Sequence, residues 1–451
     1  MTQTQFVSKL PAGRPEEQLQ DHHPLYSSAE AVLEARRCLY CFDAPCQQAC
    51  PTEIDIAGFI RKISTANPLG AARTILASNV NALSCARVCP VEVLCAGACV
   101  YNHRDGSQPP INIGRLQQFA LEAAYAKGPS AVANLLGEKK ASSGKKVALI
   151  GAGPASLACA AELTLLGHSC VILERNALPG GLNTTGVAPY KMKATEALRE
   201  VEMVLSLGVE LRTGVNVGVD VTPEGLLGEF DAVFLGVGLG PDGTAGAAGE
   251  DLHGVYGAVA LIERIKTHPG AVTHGVAHAV VIGGGNTAID IARELKLLGV
   301  PEVTMVYRRG PDAMSAYVHE QHGARDDGIR FLHWHQPLRF TAAGGKLKGV
   351  TLARTKEEGG KLKPVGGSET DIPCDLVALA VGQGKLETLC TSFPGVEFKG
   401  GRVVVDAQSG QTGNPKVFAG GDVANGGKEV VNATAEGKRA ALAIHRMFSG
   451  G

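Results

Sequence analysis

The chain has 451 residues, of which 45% are hydrophobic and 19% charged, and its formal net charge is −1. This length predicts two or three domains, and the composition excludes a largely disordered protein. The balanced charge argues against non-specific binding to nucleic acid or to an anionic membrane, which requires a basic surplus. The sequence shows no secretory signal and no apolar run long enough to span a bilayer, so we expect a cytoplasmic protein.

Residues 1–140 are predicted to form a helical domain rich in cysteine. Apolar residues recur at helical spacing in SAEAVLEARR, IDIAGFIRKISTANPLGAARTIL and NIGRLQQFALEAAYA. Most of the 12 cysteines of the chain lie before residue 100. In a reducing compartment such clustering indicates metal binding rather than disulfide formation.

The cysteine spacing is typical of two interleaved iron–sulfur sites. The pattern Cys-x2-Cys-x4-Cys-x3-Cys-Pro covers residues 38–51, and Cys-Pro-x4-Cys-x3-Cys covers residues 89–99. In ferredoxin-type runs the cysteine before proline binds the other cluster. We therefore predict one 4Fe–4S cluster on Cys38, Cys41, Cys46 and Cys99. The second would use three further cysteines, Cys50, Cys89 and Cys95.

The second cluster needs a fourth ligand, and Cys85 is a candidate because its sulfur is soft. Zinc is the alternative to both clusters, since it also accepts four thiolates. Two interleaved sets with Cys-Pro pairs favour iron–sulfur clusters over separate zinc sites.

From residue 146 onward, short β-branched runs alternate with helical patterns, which predicts parallel sheets built from βαβ units. The similar phrases KKVALIGAGPAS (145–156) and AHAVVIGGGNTA (277–288) predict two Rossmann-like dinucleotide-binding domains. The predicted fold class is thus α/β, with an all-helical iron–sulfur domain before these two domains. We expect the first nucleotide-binding domain to occupy 146–270 and 381–451, and the second to occupy 271–380.

The first glycine phrase follows a strand and opens a helix, as a dinucleotide fingerprint requires. Gly151 permits the tight turn, and Gly153 lets the backbone approach a pyrophosphate at the helix N-terminus. Ser156 takes the third small position. Glu174 ends the next predicted strand, where a carboxylate can accept hydrogen bonds from ribose hydroxyls.

The second fingerprint predicts a pyridine-nucleotide site on Gly284, Gly285, Asn286 and Thr287. Its second strand ends in Arg308 and Arg309 and has no acid where NAD would require one. Guanidinium groups at this place can hold a 2′-phosphate, which favours NADPH over NADH. The alternative is a solvated pair of arginines.

These motifs together resemble the N-terminal, FAD-containing portion of dihydropyrimidine dehydrogenase, which in bacteria is a separate small subunit. They resemble more distantly the small (β) subunit of NADPH-dependent glutamate synthase. The likeness covers nearly the whole chain and includes CLYCFDAPCQQACP, ARVCPVEVLCAGAC, INIGRLQQF, GGLNTTGVAPYK, AVGQ and VFAGGD. It implies that Gln117, in place of Cys85, completes the second cluster; otherwise Gln117 would merely face solvent.

The resemblance also implies that the first nucleotide-binding domain holds FAD. The implied FAD site consists of Gly151, Ala152, Gly153, Pro154, Ala155, Ser156, Glu174, Gly181, Leu182, Lys191, Val217, Gly421 and Asp422.

The function implied by the resemblance is electron transfer from NAD(P)H through FAD and two 4Fe–4S clusters. The expected acceptor is an FMN-binding TIM-barrel subunit that reduces uracil or thymine, because no part of the chain is left to form such a barrel. A glutamate synthase small subunit is the first alternative. A scaffold without redox function and a bifurcating oxidoreductase are the others.

Overall fold

The structure is a computed structural model that describes residues 9–103, 108–270 and 272–450; the parts of the predicted domains at 1–8, 104–107, 271 and 451 lie outside it. The first part of the chain is helical, as predicted. Its helices are α1 (Ser28–Arg36), α2 (Pro45–Gln48), α3 (Ile56–Ser64), α4 (Pro68–Ser78), α5 (Ala82–Val88), α6 (Ile113–Tyr125) and α7 (Pro129–Ala133).

Local chemistry explains where these helices begin. A capping box starts α1: the Ser27 side chain accepts from the Glu30 backbone N–H (3.3 Å), and the Glu30 side chain accepts from the Ser27 N–H (2.8 Å). Asn67 caps α4, and Pro68 takes its first position, which separates α3 from α4 within one apolar run.

The first nucleotide-binding domain begins as predicted with alternating strands and helices. These are β1 (Lys146–Ile150), α8 (Pro154–Leu165), β2 (Ser169–Glu174), α9 (Leu182–Thr185), α10 (Ala194–Ser206), β3 (Glu210–Thr213), α11 (Pro223–Glu229) and β4 (Ala232–Leu235).

The second nucleotide-binding domain follows, and its elements begin with β5 (Val255–Gly257), α12 (Ala258–Thr267), β6 (His278–Ile282), α13 (Asn286–Leu297), β7 (Glu302–Tyr307), α14 (Val318–Asp326) and β8 (Arg330–His333). It continues with β9 (His335–Ala343), β10 (Lys346–Glu358), β11 (Lys361–Pro364), β12 (Thr370–Pro373) and β13 (Leu376–Leu379). A parallel sheet of order β5-β13-β6-β7-β8 forms its centre.

Two features of this domain differ from the sequence prediction. β5 pairs with β13, so residues 255–267 belong to the second domain and not to the first, to which the predicted boundary at 270 assigned them. The antiparallel sheet of β9–β12 had not been predicted. Strand propensity does not reveal which strand a segment will pair with, because pairing depends on contacts distant in sequence.

The chain then returns to the first domain through α15 (Glu387–Thr391), β14 (Phe398–Lys399), β15 (Arg402–Val403), β16 (Val417–Ala419), α16 (Asp422–Asn425) and α17 (Val430–Phe448). β16 adds to the edge of a parallel sheet of order β16-β4-β1-β2-β3. α17 packs against α8. None of the helices in the described ranges is long and apolar enough to cross a membrane.

The helical domain and the first nucleotide-binding domain share one apolar core, which extends from Ala31 to Ile444. A buried carboxylate also joins them. Glu200 on α10 accepts hydrogen bonds from the backbone N–H groups of Leu83 (2.7 Å) and Ser84 (3.0 Å) at the start of α5. An acceptor at this end of a helix satisfies free N–H groups, and burial raises the pKa of Glu200 to about 7. The first nucleotide-binding domain therefore supports the helix that carries Cys85.

Candidate functional site

A cavity of about 690 Å³ is lined by residues of both nucleotide-binding domains. Its volume is that of a typical ligand pocket. Of the FAD site implied above, all but Ser156 line this cavity, namely Gly151, Ala152, Gly153, Pro154, Ala155, Glu174, Gly181, Leu182, Lys191, Val217, Gly421 and Asp422.

The first fingerprint has the geometry of a phosphate cradle. Gly151 has φ +87°, and a Cβ there would lie 2.6 Å from the Gly236 carbonyl oxygen, so only glycine fits the turn. At Gly153 a Cβ would meet no protein atom nearer than the Gly181 Cα at 4.0 Å. The space beside Gly153 is therefore cavity, and a side chain there would occupy it. A dinucleotide fits this cradle.

Glu174 connects the end of β2 to the glycine turn. Its Oε2 accepts from the Ala152 N–H (2.8 Å), and its Oε1 accepts from the Asn176 N–H (2.8 Å). Each carboxylate oxygen can accept a second hydrogen bond, so the residue retains capacity for a ribose hydroxyl.

Ser156 lies behind the cavity and not in its wall. The residue is fully buried, and a Cβ on Gly236 would collide with its side chain. The third small position of this fingerprint thus permits close packing of α8 on the turn after β4.

The VFAGGD segment near the end of the chain also contributes to the cavity, because its Gly421 and Asp422 line it. Gly421 has φ +75°, and the Asp422 Oδ1 accepts from the Lys428 N–H at 3.2 Å. Burial raises the pKa of the Asp422 carboxyl.

The second fingerprint enters the same cavity only in part. Asn286 and Thr287, at the start of α13, line it, whereas Gly284 and Gly285 lie behind them. The segment that follows Arg309 crosses this turn: the Asn286 Oδ1 accepts from the Tyr317 N–H at 3.0 Å. Ser315 packs against Gly285. A Cβ added to this glycine would lie 3.3 Å from the Ser315 Oγ.

Arg308 and Arg309 follow directly after β7 and are exposed. Their backbone is held in place, because the Arg308 carbonyl accepts from the Thr355 hydroxyl (2.7 Å) and the Arg309 carbonyl accepts from the Trp334 N–H (3.0 Å). Both guanidinium groups are therefore available to a ligand at the end of this strand.

A charged constellation that the sequence did not predict lies where the two domains meet. Lys191 forms ion pairs with Asp290 (2.7 Å) and Glu320 (2.6 Å), and all of them line the cavity. Burial opposes the charged form of Lys191, but the two carboxylates hold its pKa above the usual value. No sequence signal links these positions, since the partners lie about one hundred residues or more from Lys191.

The first set of cysteines is Cys38, Cys41, Cys46 and Cys99, which line a small cavity of about 30 Å³. Burial, and then the neighbouring thiols, raises the pKa of Cys46 to about 11. Four sulfurs so placed are costly as thiolates unless a metal centre compensates their charge. The donor set thus suits an iron–sulfur cluster.

The second set surrounds Cys89. Its thiol forms a hydrogen bond with Cys85 and interacts with Cys95 and Cys50, and the hydrogen bond and burial raise its pKa. Among the residues that the structure describes, no three His, Cys, Asp or Glu side chains are close enough to share one metal ion. A donor set made mostly of thiols suits an iron–sulfur cluster.

Of the two candidates for the fourth ligand, Cys85 contacts this set through Cys89, and Gln117 contacts the helix that carries Cys85. Cys85 is 3% exposed, and its sulfur accepts from Asn79 at 3.3 Å. Gln117 is 6% exposed, which excludes the solvent-facing alternative, and its Nε2 donates to the Ala82 carbonyl at 2.7 Å. Ala82 lies one turn before Cys85 on α5.

Val88 and Pro90, the neighbours of Cys89, line the large cavity together with the glycine fingerprint. The chain segment that carries Cys89 therefore reaches the wall of the nucleotide cavity. The sequence did not predict this contact, because α5 and β1 are separated by the whole of α6 and α7.

Comparison with known proteins agrees with this architecture. Residues 15–129 match the family described as dihydropyrimidine dehydrogenase domain II, 4Fe–4S cluster, and residues 145–437 match pyridine nucleotide-disulphide oxidoreductase. The chain belongs to the pyridine nucleotide-disulphide oxidoreductase family. The predictions of an oxidoreductase, of a pyridine nucleotide cofactor and of a 4Fe–4S domain are thereby confirmed.

Two relatives align with nearly the whole of this oxidoreductase. It is 35% identical to the NAD-dependent dihydropyrimidine dehydrogenase subunit PreT of Escherichia coli (strain K12), over 95% of this chain and 96% of that protein. It is 34% identical to the glutamate synthase [NADPH] small chain of the same strain, over 93% of this chain and 92% of that protein. These identities confirm the predicted resemblance to both kinds of subunit, but the glutamate synthase chain is about as similar as PreT and not the more distant relative that was predicted.

Solved structures show the same fold in the nucleotide-binding part of the oxidoreductase. FprA of Mycobacterium tuberculosis, in complex with NADPH, has a TM-score of 0.54 and 22% identity over 67% of this chain and 84% of that chain. Thioredoxin reductase of T. acidophilum has a TM-score of 0.53 and 20% identity over 67% of this chain and 99% of that chain.

The fourth ligand of the second cluster can be determined by comparing two variants of the oxidoreductase. We expect Gln117→Leu to lose about half of the iron and sulfide, because three thiolates alone hold a cubane poorly. Cys85→Ala should retain the full content. Iron, sulfide and the EPR spectrum of the reduced protein are the readouts. Iron loss in Cys85→Ala with full retention in Gln117→Leu would identify Cys85 as the ligand.

Proposed function

We propose that this oxidoreductase takes hydride from NAD(P)H onto FAD and passes the electrons singly through two 4Fe–4S clusters to a separate protein. FAD, when bound, connects a two-electron donor with one-electron acceptors. The proposed clusters use Cys38, Cys41, Cys46 and Cys99, and Cys50, Cys89, Cys95 and Gln117.

The contact between the cavity and the chain segment that carries Cys89 is the observation that carries this proposal. Because Val88 and Pro90 line the cavity, a nucleotide in the cavity would share its wall with the chain segment that carries Cys89. Cys95 interacts with both Cys50 and Cys46, so the second set in turn adjoins the first. The cavity is thus followed by the second set of cysteines and then by the first set. This arrangement supports an electron path that leads out through the helical domain.

The chain's own residues would bind and orient the cofactors. Gly151 and Gly153 keep the cradle open, and the carboxylate of Glu174 offers acceptors to a ribose. Lys191 places a positive charge in the cavity wall, held there by Asp290 and Glu320. A fixed positive charge stabilises negative charge that develops on a ligand beside it.

NADPH is the proposed donor in preference to NADH. Arg308 and Arg309 are exposed at the end of β7, where an adenosine ribose is held in this type of domain. Guanidinium groups suit a 2′-phosphate. Comparing kcat/KM for the two nucleotides tests this preference.

The proposed acceptor is an FMN-binding TIM-barrel subunit that reduces uracil or thymine. The second candidate is a large subunit that uses glutamine and 2-oxoglutarate, as for glutamate synthase. The chain supports both candidate acceptors equally, because its identity to the relatives of each kind is nearly the same, 35% and 34%. We expect the protein in the cytoplasm, since cysteines clustered for metal binding and not for disulfide formation suit a reducing compartment.

The experiment has two steps. First, NADPH is added anaerobically to the purified protein, and flavin absorbance is followed together with cluster absorbance. We expect both to bleach in the wild type, whereas Cys89→Ser should keep flavin bleaching and lose electron transfer to the clusters at least about a hundredfold. Leu33→Ser, at an exposed position of the helical domain, is the control.

Secondly, the protein is combined with each candidate partner. Reduction of uracil with the barrel subunit supports the first acceptor, and glutamate formation supports the second. Flavin that NAD(P)H does not reduce, in a fully loaded protein, would contradict the proposed function whatever the partner.

A further inference from the structure

Trp334 is the single tryptophan of the chain and occupies an unusual position. It lies between β8 and β9 with φ +60° and is 39% exposed. A bulky side chain in the left-handed region costs free energy, and such residues concentrate at binding sites. The residue belongs to none of the apolar clusters formed by the described residues. Core packing therefore does not account for this tryptophan.

The backbone around Trp334 is tied to the end of β7. Its N–H donates to the Arg309 carbonyl (3.0 Å), and its carbonyl accepts from the Thr355 N–H (2.8 Å). The indole packs on Gly310: a Cβ there would lie 2.9 Å from the indole Cζ2. Trp334 is thus fixed against the turn that contains Arg308 and Arg309.

This turn is where a dinucleotide-binding domain holds the adenosine half of its ligand, since the ribose lies at the end of the second strand. An exposed aromatic face beside exposed guanidinium groups provides a stacking surface for a base next to groups that bind phosphate. We propose that Trp334 is a positioning residue on which the adenine of the pyridine nucleotide stacks. The proposal rests on the proposed function insofar as the second domain must bind the pyridine nucleotide.

The first test uses the fluorescence of Trp334, which has no other tryptophan to obscure it. The oxidised holoprotein is titrated with ADP-ribose and, separately, with nicotinamide mononucleotide. Stacking predicts saturable quenching by ADP-ribose and none by the mononucleotide. ADP-ribose that inhibits NADPH oxidation competitively but leaves the emission unchanged would overturn the proposal.

The second test separates binding from turnover. Trp334→Leu should raise KM for the nucleotide about tenfold with kcat within twofold, because a stacked base is lost while the reacting end is untouched. Trp334→Phe should keep most of the affinity. Leu297→Ala, an exposed apolar position on α13 of the same domain, is the control and should behave as wild type.

The outcomes distinguish the two proposals. Unchanged KM in Trp334→Leu, with normal flavin reduction by NAD(P)H, would refute the role of Trp334 and leave the proposed function standing. Absence of flavin reduction in the wild type would refute the proposed function, whereas ADP-ribose titration would still test adenine binding. If Trp334→Leu does not fold, Trp334→Phe and the wild-type titration decide.

Discussion

Gly153→Val is expected to abolish FAD retention and to leave the chain folded. Gly153 has φ −77° and ψ 177°, which any residue adopts, and the nearest protein atom to a Cβ would be 4.0 Å away. The protein itself therefore tolerates a side chain. The space that the side chain would fill is the cradle in front of α8, where the backbone must approach a pyrophosphate.

We expect the affinity for FAD to fall at least about a hundredfold, which removes about 2.7 kcal/mol of ligand stabilisation when FAD is present at a concentration that saturates both proteins. The flavin-to-protein ratio after gel filtration and the thermal midpoint with and without added FAD are the measurements. Gly228→Val is the control, since Gly228 on α11 is exposed and a Cβ there meets nothing within 4 Å. Stoichiometric FAD in Gly153→Val would show that the dinucleotide lies elsewhere.

Lys266→Met is expected to be the most destabilising of the substitutions considered. Lys266 is fully buried at the end of α12, and its ammonium donates to the carbonyls of Asn183 (3.0 Å), Val187 (2.8 Å) and Met192 (2.9 Å). The segment that these carbonyls hold contains Lys191 and forms one wall of the cavity. The lysine thus joins the second domain to the cofactor wall of the first.

Methionine would leave three carbonyls without a donor and would remove the positive charge that faces Glu16 and Glu294, so we expect a loss of about 3–5 kcal/mol. The thermal midpoint, measured anaerobically at a fixed scan rate, should fall by at least about 5 °C. FAD should also dissociate more readily. Lys348→Met, at an exposed position of β10, is the control. A midpoint like that of the control would show that the three contacts contribute little.

The pH dependence of the difference between wild type and Lys266→Met has a definite sign. Burial lowers the pKa of Lys266 to about 8, from an ordinary value of 10.5. Between these values the unfolded chain binds more protons than the folded chain, so the free energy of unfolding contributed by Lys266 rises with pH. The advantage of the wild type should therefore widen between pH 8 and 10.5, by up to about 3 kcal/mol. A constant advantage across this range would contradict the lowered pKa.

The sequence by itself determined the features that depend on neighbouring residues. The glycine turn at 151–153, the helix starts at Ser27 and Asn67, and the spacing of the cysteines are all set within a few residues of chain. Local sterics, capping and ligand reach act over that distance, so a pattern is enough to predict two nucleotide folds and a metal-binding helical domain. Ser156, by contrast, was assigned to the FAD site, but the folded chain places it behind the cavity, where it packs against Gly236.

The tertiary structure alone decided which distant side chains meet. It paired β5 with β13, brought Glu320 and Asp290 to Lys191, laid Trp334 against the turn after β7, and placed Val88 and Pro90, the neighbours of Cys89, at the wall of the nucleotide cavity. These contacts join residues separated by many elements, and their energies depend on burial. A carboxylate or an ammonium has no altered pKa until packing removes its water and supplies its partners. For that reason the cofactor motifs could be read from the chain, whereas the constellation around the proposed site of electron transfer required the folded protein.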